Sequence, residues 1–335
     1  MNQYFQLFSC CIPVKGTKKA VICDLQRNII QPIPLTLYQL LVNEDYSNKD
    51  SLDQFLTTIN EKEKQIIQEY TSFLYNNQFG YTSDKPMIPR RLKMDSSESS
   101  ISKTNAIVDF DETSNHRLSQ IMPQLKDIGC LVLQLRYFYP VTYQTMEDDL
   151  EFTSIANLQN LEIILQYSDD YLLQNILKLT EAYPALKKII LTSSPENTVY
   201  HQNDMMILYT TEQVDDEKSC GVTNEFYCIA ETQLFIESIH FNSCLNKKIA
   251  IDRNGFIRNC PSMKTDFGPI SKVKLQDVYH TNPFQKIWNI NKDKIEVCSD
   301  CELRYVCQDC RAYIVDKNNI YSKPVKCKYN PYEFD

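Results

Sequence analysis

The chain has 335 residues, a net charge of −8 and 13 cysteines, against six glycines and one tryptophan. A hydrophobic share of 43% with 11% aromatics supplies real cores and excludes wholesale disorder, and the acidic balance argues against a protein built mainly to grip nucleic-acid phosphates. No apolar run approaches the ~18–20 residues of a membrane helix, and residues 1–16 lack the basic start and long apolar stretch of a secretory signal, so a cytoplasmic chain of several domains is expected.

Residues 1–84 read as a small α+β unit. Residues 4–14 are apolar and β-prone, and 19–25 are a second strand candidate. Pro32 and Pro34 then break the chain, and residues 35–42 (LTLYQLLV) read as a short helix. Asp50 or Ser51 caps a second helix with Leu52, Phe55 and Leu56 on one stripe. Asn60 caps a third over 61–77, with Ile66, Ile67, Tyr70, Phe73 and Leu74 at helical spacing, and 79–81 returns as a strand. These are the parts of a winged helix. Residues 1–85 carry eight Lys+Arg against nine Asp+Glu, and the third helix is not basic, so a DNA-reading role is disfavoured. Pro86, Pro89 and the run 96–100 (SSESS) mark 85–103 as a linker.

The next segment, taken as a domain over 104–239, alternates strand and helix. Strands are expected at 106–110, 130–137, 161–166, 188–191 and 205–209, and helices at 116–126, 147–158 and 171–183. That βαβ rhythm implies a mostly parallel sheet, open or partly closed as a barrel. Beyond it, 249–252 and 256–259 flank Asn254-Gly255, which predicts a hairpin with a type I′ turn. Asn282 and Pro283 open a short helix whose apolar stripe is Phe284, Ile287 and Trp288.

The cysteines are unevenly spread: four in residues 1–219 and nine in 220–335. An odd total, no export signal and two C-x2-C pairs fit metal ligation in a reducing compartment better than a disulfide scaffold. The densest stretch, CSDCELRYVCQDC, holds Cys298, Cys301, Cys307 and Cys310 as C-x2-C-x5-C-x2-C, with Cys244 and Cys260 before it and Cys327 after it. Two residues between cysteines let both sulfurs converge on one ion or cluster. A zinc ribbon separates its two pairs by roughly 15–20 residues; only five stand between them here, so the seven sulfurs divide more naturally between two sites. Spacing alone leaves zinc and iron–sulfur both open.

CLNKKIAIDRNGFIRNC followed by CSDCELRYVCQDC and Cys327 resembles the SPASM domain of peptide-modifying radical SAM enzymes, over about residues 240–335. One spacing departs from that pattern, since two residues rather than three separate Cys307 from Cys310. The resemblance implies two auxiliary [4Fe–4S] clusters. Cys298, Cys301, Cys307 and Cys327 would hold one, and Cys244, Cys260 and Cys310 the other. Cys220, which precedes Gly221, is the preferred fourth ligand of the second, with Cys228 and His240 as the other candidates. Residues 240–335 carry a net +5 against −13 for the remainder, which would offset anionic clusters.

Radical SAM enzymes also carry C-x3-C-x2-C just after the first barrel strand. Here that strand runs into DETSNHRL, without a cysteine, and Cys10, Cys11 and Cys23 lack the spacing. The central segment therefore resembles a degenerate, partial radical SAM-like barrel in which no reductive SAM cleavage is expected. The combination is similar to the grasp-with-spasm system SPASM-domain peptide maturases, which accompany an ATP-grasp ligase and a small precursor peptide. On that resemblance, residues 1–84 would be a PqqD-like peptide-recognition module that adds a leader peptide to its sheet, with 19–25 and helix 61–77 as groove walls. The expected function is maturation of a ribosomal peptide, bound as precursor, with no nucleic acid or membrane partner and no assigned catalytic residue. The alternatives are a zinc-stabilised interaction scaffold and a redox enzyme using the auxiliary clusters alone. Phosphate-loop, GxGxxG, GxSxG and HExxH motifs are absent, so no ATP site is expected on this chain.

Overall fold

The computed structural model describes residues 4–42, 56–57, 59–84, 103–220 and 228–333. The expected linker lies almost wholly outside the described residues, as does most of the helix expected after Asp50.

The N-terminal unit opens with β1 (Tyr4–Leu7), β2 (Cys11–Lys15), β3 (Ala20–Asp24) and β4 (Ile29–Ile33), then α1 (Leu35–Val42), α2 (Glu61–Asn76) and β5 (Gly80–Ser83). The stretch expected as one strand over 4–14 divides into β1, which pairs with β5, and β2, which joins the sheet β2-β3-β4. β4 escaped the sequence reading because Pro32 lies within it. Proline is tolerated there because β4 is an edge strand with a ladder on one side only. As a result β3 is paired on both sides, so the strand expected at 19–25 offers no free edge to an added peptide. α2 begins as its sequence demands: the Asn60 side chain accepts from Glu63 N at 3.0 Å, and the Glu63 carboxylate accepts from Asn60 N at 3.2 Å. Leu37 and Leu41 of α1 and Ile67 and Leu74 of α2 bury against Phe5, Ile22 and Phe79.

The centre is a mostly parallel eight-stranded sheet. Its members are β6 (Asn105–Phe110), β7 (Val132–Tyr137), β8 (Asn160–Gln166), β9 (Leu186–Thr192), β10 (Thr198–Gln202), β11 (Met205–Tyr209), β12 (Lys248–Ile251) and β13 (Ile257–Arg258). The spatial order is β10-β11-β9-β8-β7-β6-β12-β13, with antiparallel strands β10 and β13 at the two ends, so the sheet is open. α3 (Leu118–Asp127), α4 (Tyr143–Thr153) and α5 (Leu173–Ala182) supply the crossovers. α3 runs through Pro123 and is closed by Gly129 at φ +69°, with Gly129 N donating to Lys126 O and Cys130 N to Leu125 O. α4 starts earlier than expected because Thr142 caps it, accepting from Thr145 N.

The sheet continues into the cysteine-rich part. β12 pairs in parallel with β6, and the apolar core runs unbroken from Ala106 to Cys298. α6 (Thr232–His240) leads into β12, and α7 (Leu275–Tyr279) and α8 (Asn282–Gln285) follow the β12–β13 hairpin. That hairpin does not use the expected type I′ turn, which would need Asn254 at positive φ. Gly255 alone is left-handed there, at φ +79°, and Gly255 N donates to Asp252 O. The Asp252 carboxylate accepts from Asn254 N and Phe256 N, which selects a three-residue loop closed by a left-handed glycine. Among the described residues, no helix is long and apolar enough to cross a membrane.

The N-terminal unit docks on the cysteine-rich part. Val14, Val21, Cys23 and Leu25 share a core with Ala230, Phe235 and Val306. The β2–β3 turn meets the first C-x2-C pair: Thr17 N donates to Asp300 O at 2.8 Å, and Arg304 donates to Lys15 O at 2.6 Å.

Candidate metal centres

Four of the expected ligands converge. Cys298, Cys301, Cys307 and Cys327 line one pocket, together with Cys228 and Lys292. Three local devices build it. First, Val297 sits at φ +67°, ψ −41°, and Cys298 N donates to Glu296 O at 2.7 Å. This is a γ-turn of the rare strained form, on a β-branched residue, immediately before the first ligand. Second, Cys298–Asp300 make a single 3₁₀ turn, and Cys301 N donates to Cys298 O, so the chain folds back between the two sulfurs. Third, Leu303 N points at the Cys301 sulfur at 3.4 Å, a backbone donor offered to a thiolate.

Charge supports the same reading. Lys292 is only 4% exposed, and its ammonium lies 3.0 Å from the Cys307 sulfur. A buried ammonium needs an anionic partner. The hydrogen bond from Cys228 holds the Cys307 thiol below its ordinary range against the opposing effect of burial, and Lys292 adds to that pull. Cys228 is correspondingly raised, first by its hydrogen bond to Cys307. Burial pushes Cys298 up to about 11 and Cys301 up to about 12, so without a cation these two remain thiols at neutral pH.

In the second expected set, the Lys248 ammonium lies 3.6 Å from the Cys244 sulfur. Cys220 and Cys310 both act electrostatically on Cys244, and Cys220 acts on Cys260 as well. Burial pushes Cys260 up to about 12, with Cys244 adding to the rise and Lys248 opposing it. Cys220 thus acts on two members of the set. Cys228 belongs to the other pocket, packed on Cys307, and does not complete this one. His240 closes α6 with its ring beside Phe241.

A buried polar network ties the two sets together. Asp309 and Arg311 form an ion pair with both side chains at most 1% exposed, bonded at 2.5 and 2.7 Å. Asn242 donates to Asp309 at 2.6 Å and accepts from Cys244 N and Leu245 N. Lys326 donates to the carbonyls of Lys218 and Cys220, linking the residue before Cys327 to the Cys220 segment. Sequence reasoning missed Asn242, Lys248, Lys292, Asp309 and Arg311. Their only signal was proximity to cysteines, as in Asn242-x-Cys244 and Cys307-x-Asp309-Cys310-Arg311.

Among the described residues, the one group of three ligand atoms lying within 4.8 Å of one another is Cys10, Cys11 and Asp24, a possible metal-binding group that the sequence reading did not foresee. Its donors are largely committed. Asp24 accepts from Gln26 N, Arg27 N and, at 2.6 Å, Arg27 Nε, so a guanidinium already occupies the place of a cation. Burial and then Asp24 itself raise the Cys11 thiol, keeping it protonated.

The end of β6 carries a buried ion pair and a tight turn. Arg136 of β7 grips Asp109 at 2.6 and 2.7 Å, both buried, and Asp111 accepts from Thr113 N at 2.8 Å in a tight turn. Cys220 and Cys260 both act electrostatically on Arg136. No protein-family model matches the chain, and no curated protein matches it.

Proposed function

We propose that the chain is a peptide-maturation protein that binds a ribosomal precursor peptide, carries up to two auxiliary [4Fe–4S] clusters and works beside an ATP-grasp ligase. The observation that carries the reading is the convergence of Cys298, Cys301, Cys307 and Cys327 on one pocket, with a buried ammonium at Cys307. These four would hold one cluster. Cys244, Cys260 and Cys310, with Cys220 beside them, would hold the other. Bound there, such clusters supply electron transfer or structural cross-linking. The chain's own part is to present thiolates, to offset their charge through Lys248 and Lys292, and to exclude water around them.

Zinc and a cluster make different demands on the sulfurs: a tetrahedral zinc at ~2.3 Å from each needs them roughly 3.8 Å apart, and a cluster holds them wider. The zinc scaffold is the second reading, and metal analysis separates the two.

The N-terminal unit is the proposed peptide module. With β3 paired on both sides, an incoming strand would join β2 or β4. The test is co-expression of the full chain with each short reading frame beside its gene, followed by affinity capture. Capture of one such peptide, with an ATP-grasp gene adjacent, is expected; failure of every neighbouring peptide to bind would remove the recognition role. Reduced protein incubated with SAM should give no 5′-deoxyadenosine, because the end of β6 offers no sulfur to a catalytic cluster.

A further inference from the structure

A second cavity lies at the other end of the sheet, away from the cysteines. It has a volume of about 310 Å³ and sits at the carboxyl ends of β8, β9 and β11, the edge of an open α/β sheet where ligands bind. Its wall includes Tyr167, Tyr171, Tyr200 and Tyr209, with Ser194 and Glu196. Two of the rings are fixed: the Tyr209 hydroxyl donates to Tyr171 O at 3.1 Å, and the Tyr171 hydroxyl donates to Val141 O at 2.7 Å. Around Tyr209 the rings stand as walls of a box, with Tyr167 at 62° and 6.1 Å and Tyr200 at 81° and 5.9 Å.

The lining contains one carboxylate, Glu196, and no Lys, Arg or His. Among the described residues Glu196 has no ion-pair partner. A purely apolar ligand would leave Glu196 without a role, and an anion would be repelled by it. Phenol ring faces carry negative potential, so a box of them with a carboxylate at the rim favours an organic cation. From this geometry we infer that the cavity is a binding site for an organic cation, an alkylammonium group carried by a lysine side chain of a peptide or by a small quaternary amine. The inference stands apart from the metal centres and from the N-terminal unit.

The test is isothermal titration of the full chain at low ionic strength with two matched pairs. Choline is compared with its neutral isostere 3,3-dimethylbutan-1-ol, and acetyl-Gly-Lys-Gly-amide with the same peptide carrying norleucine. At least one cation should bind about tenfold tighter than its neutral counterpart, and the pair that does so identifies the source. Glu196→Gln and Tyr200→Leu, both at exposed positions, should each weaken that binding about threefold or more with an unchanged circular dichroism spectrum. Equal binding of cation and isostere, absence of saturable binding by both cations, or cation binding that survives both substitutions would overturn the assignment.

Discussion

The ammonium of Lys292 lies 3.0 Å from the sulfur of Cys307, inside the protein. The contact joins residues 15 positions apart and gives one cysteine of the pocket a standing counter-charge. Lys292→Met removes that charge, so the Cys307 thiol pKa should rise in the metal-free protein by about one unit or more. Alkylation rate against pH, read at Cys307 by mass spectrometry, checks this. An unchanged profile would mean that Cys228 alone sets the Cys307 thiolate.

Val297 holds a positive φ that proline cannot adopt, since its ring fixes φ near −65°. Val297→Pro should therefore abolish metal loading at the Cys298 pocket. Val297→Gly should keep it and relieve about 1 kcal/mol of strain, partly offset by lost side-chain packing. Metal content after reconstitution, together with urea midpoints of the metal-free variants, provides the comparison. Full loading of the proline variant would show that the γ-turn is not needed to aim Cys298.

Gly16 marks the seam between the N-terminal unit and the first C-x2-C pair. A Cβ there would lie 2.8 Å from Glu302 N and 2.9 Å from Asp300 O. Because both contacts are backbone, Gly16→Val should cost about 1–3 kcal/mol and loosen the unit from the C-terminal part. Hydrogen exchange should report the loosening at residues 228–235, which share the joint core. Protection unchanged from the parent would contradict this docking.

The Asp109–Arg136 pair offers a sharper test of energetics. Arg136→Met alone leaves a carboxylate buried at 1% exposure without its partner and should cost about 3–5 kcal/mol. Asp109→Leu combined with Arg136→Met should recover most of that loss, because neither charge is then buried. Urea denaturation of the single and double variants gives the coupling directly. A double variant as unstable as the single would point to a further role for the pair, on which Cys260 acts electrostatically.

What the sequence disclosed follows from how local each signal is. α2 could be read to its first residue because Asn60 and Glu63 form a reciprocal cap within three positions. The sheet strands β6, β7, β8, β9 and β11 could be read because buried parallel strands are continuous apolar runs. β4 was hidden by Pro32, acceptable only because the strand is at an edge. β10 was hidden because TVYHQ is polar and mostly exposed, the pattern of a solvated edge. At the candidate centres, spacing disclosed the cysteines. It could not disclose Lys292, Asp309 or Arg311, whose roles depend on contacts that only the folded chain creates.

Metal analysis of protein purified without oxygen tests the central claim most directly. The account predicts a brown protein approaching about eight iron and about eight sulfide per chain, with Cys301→Ala losing about half of both. Stoichiometric zinc and no sulfide, from cells supplied with iron, would contradict it.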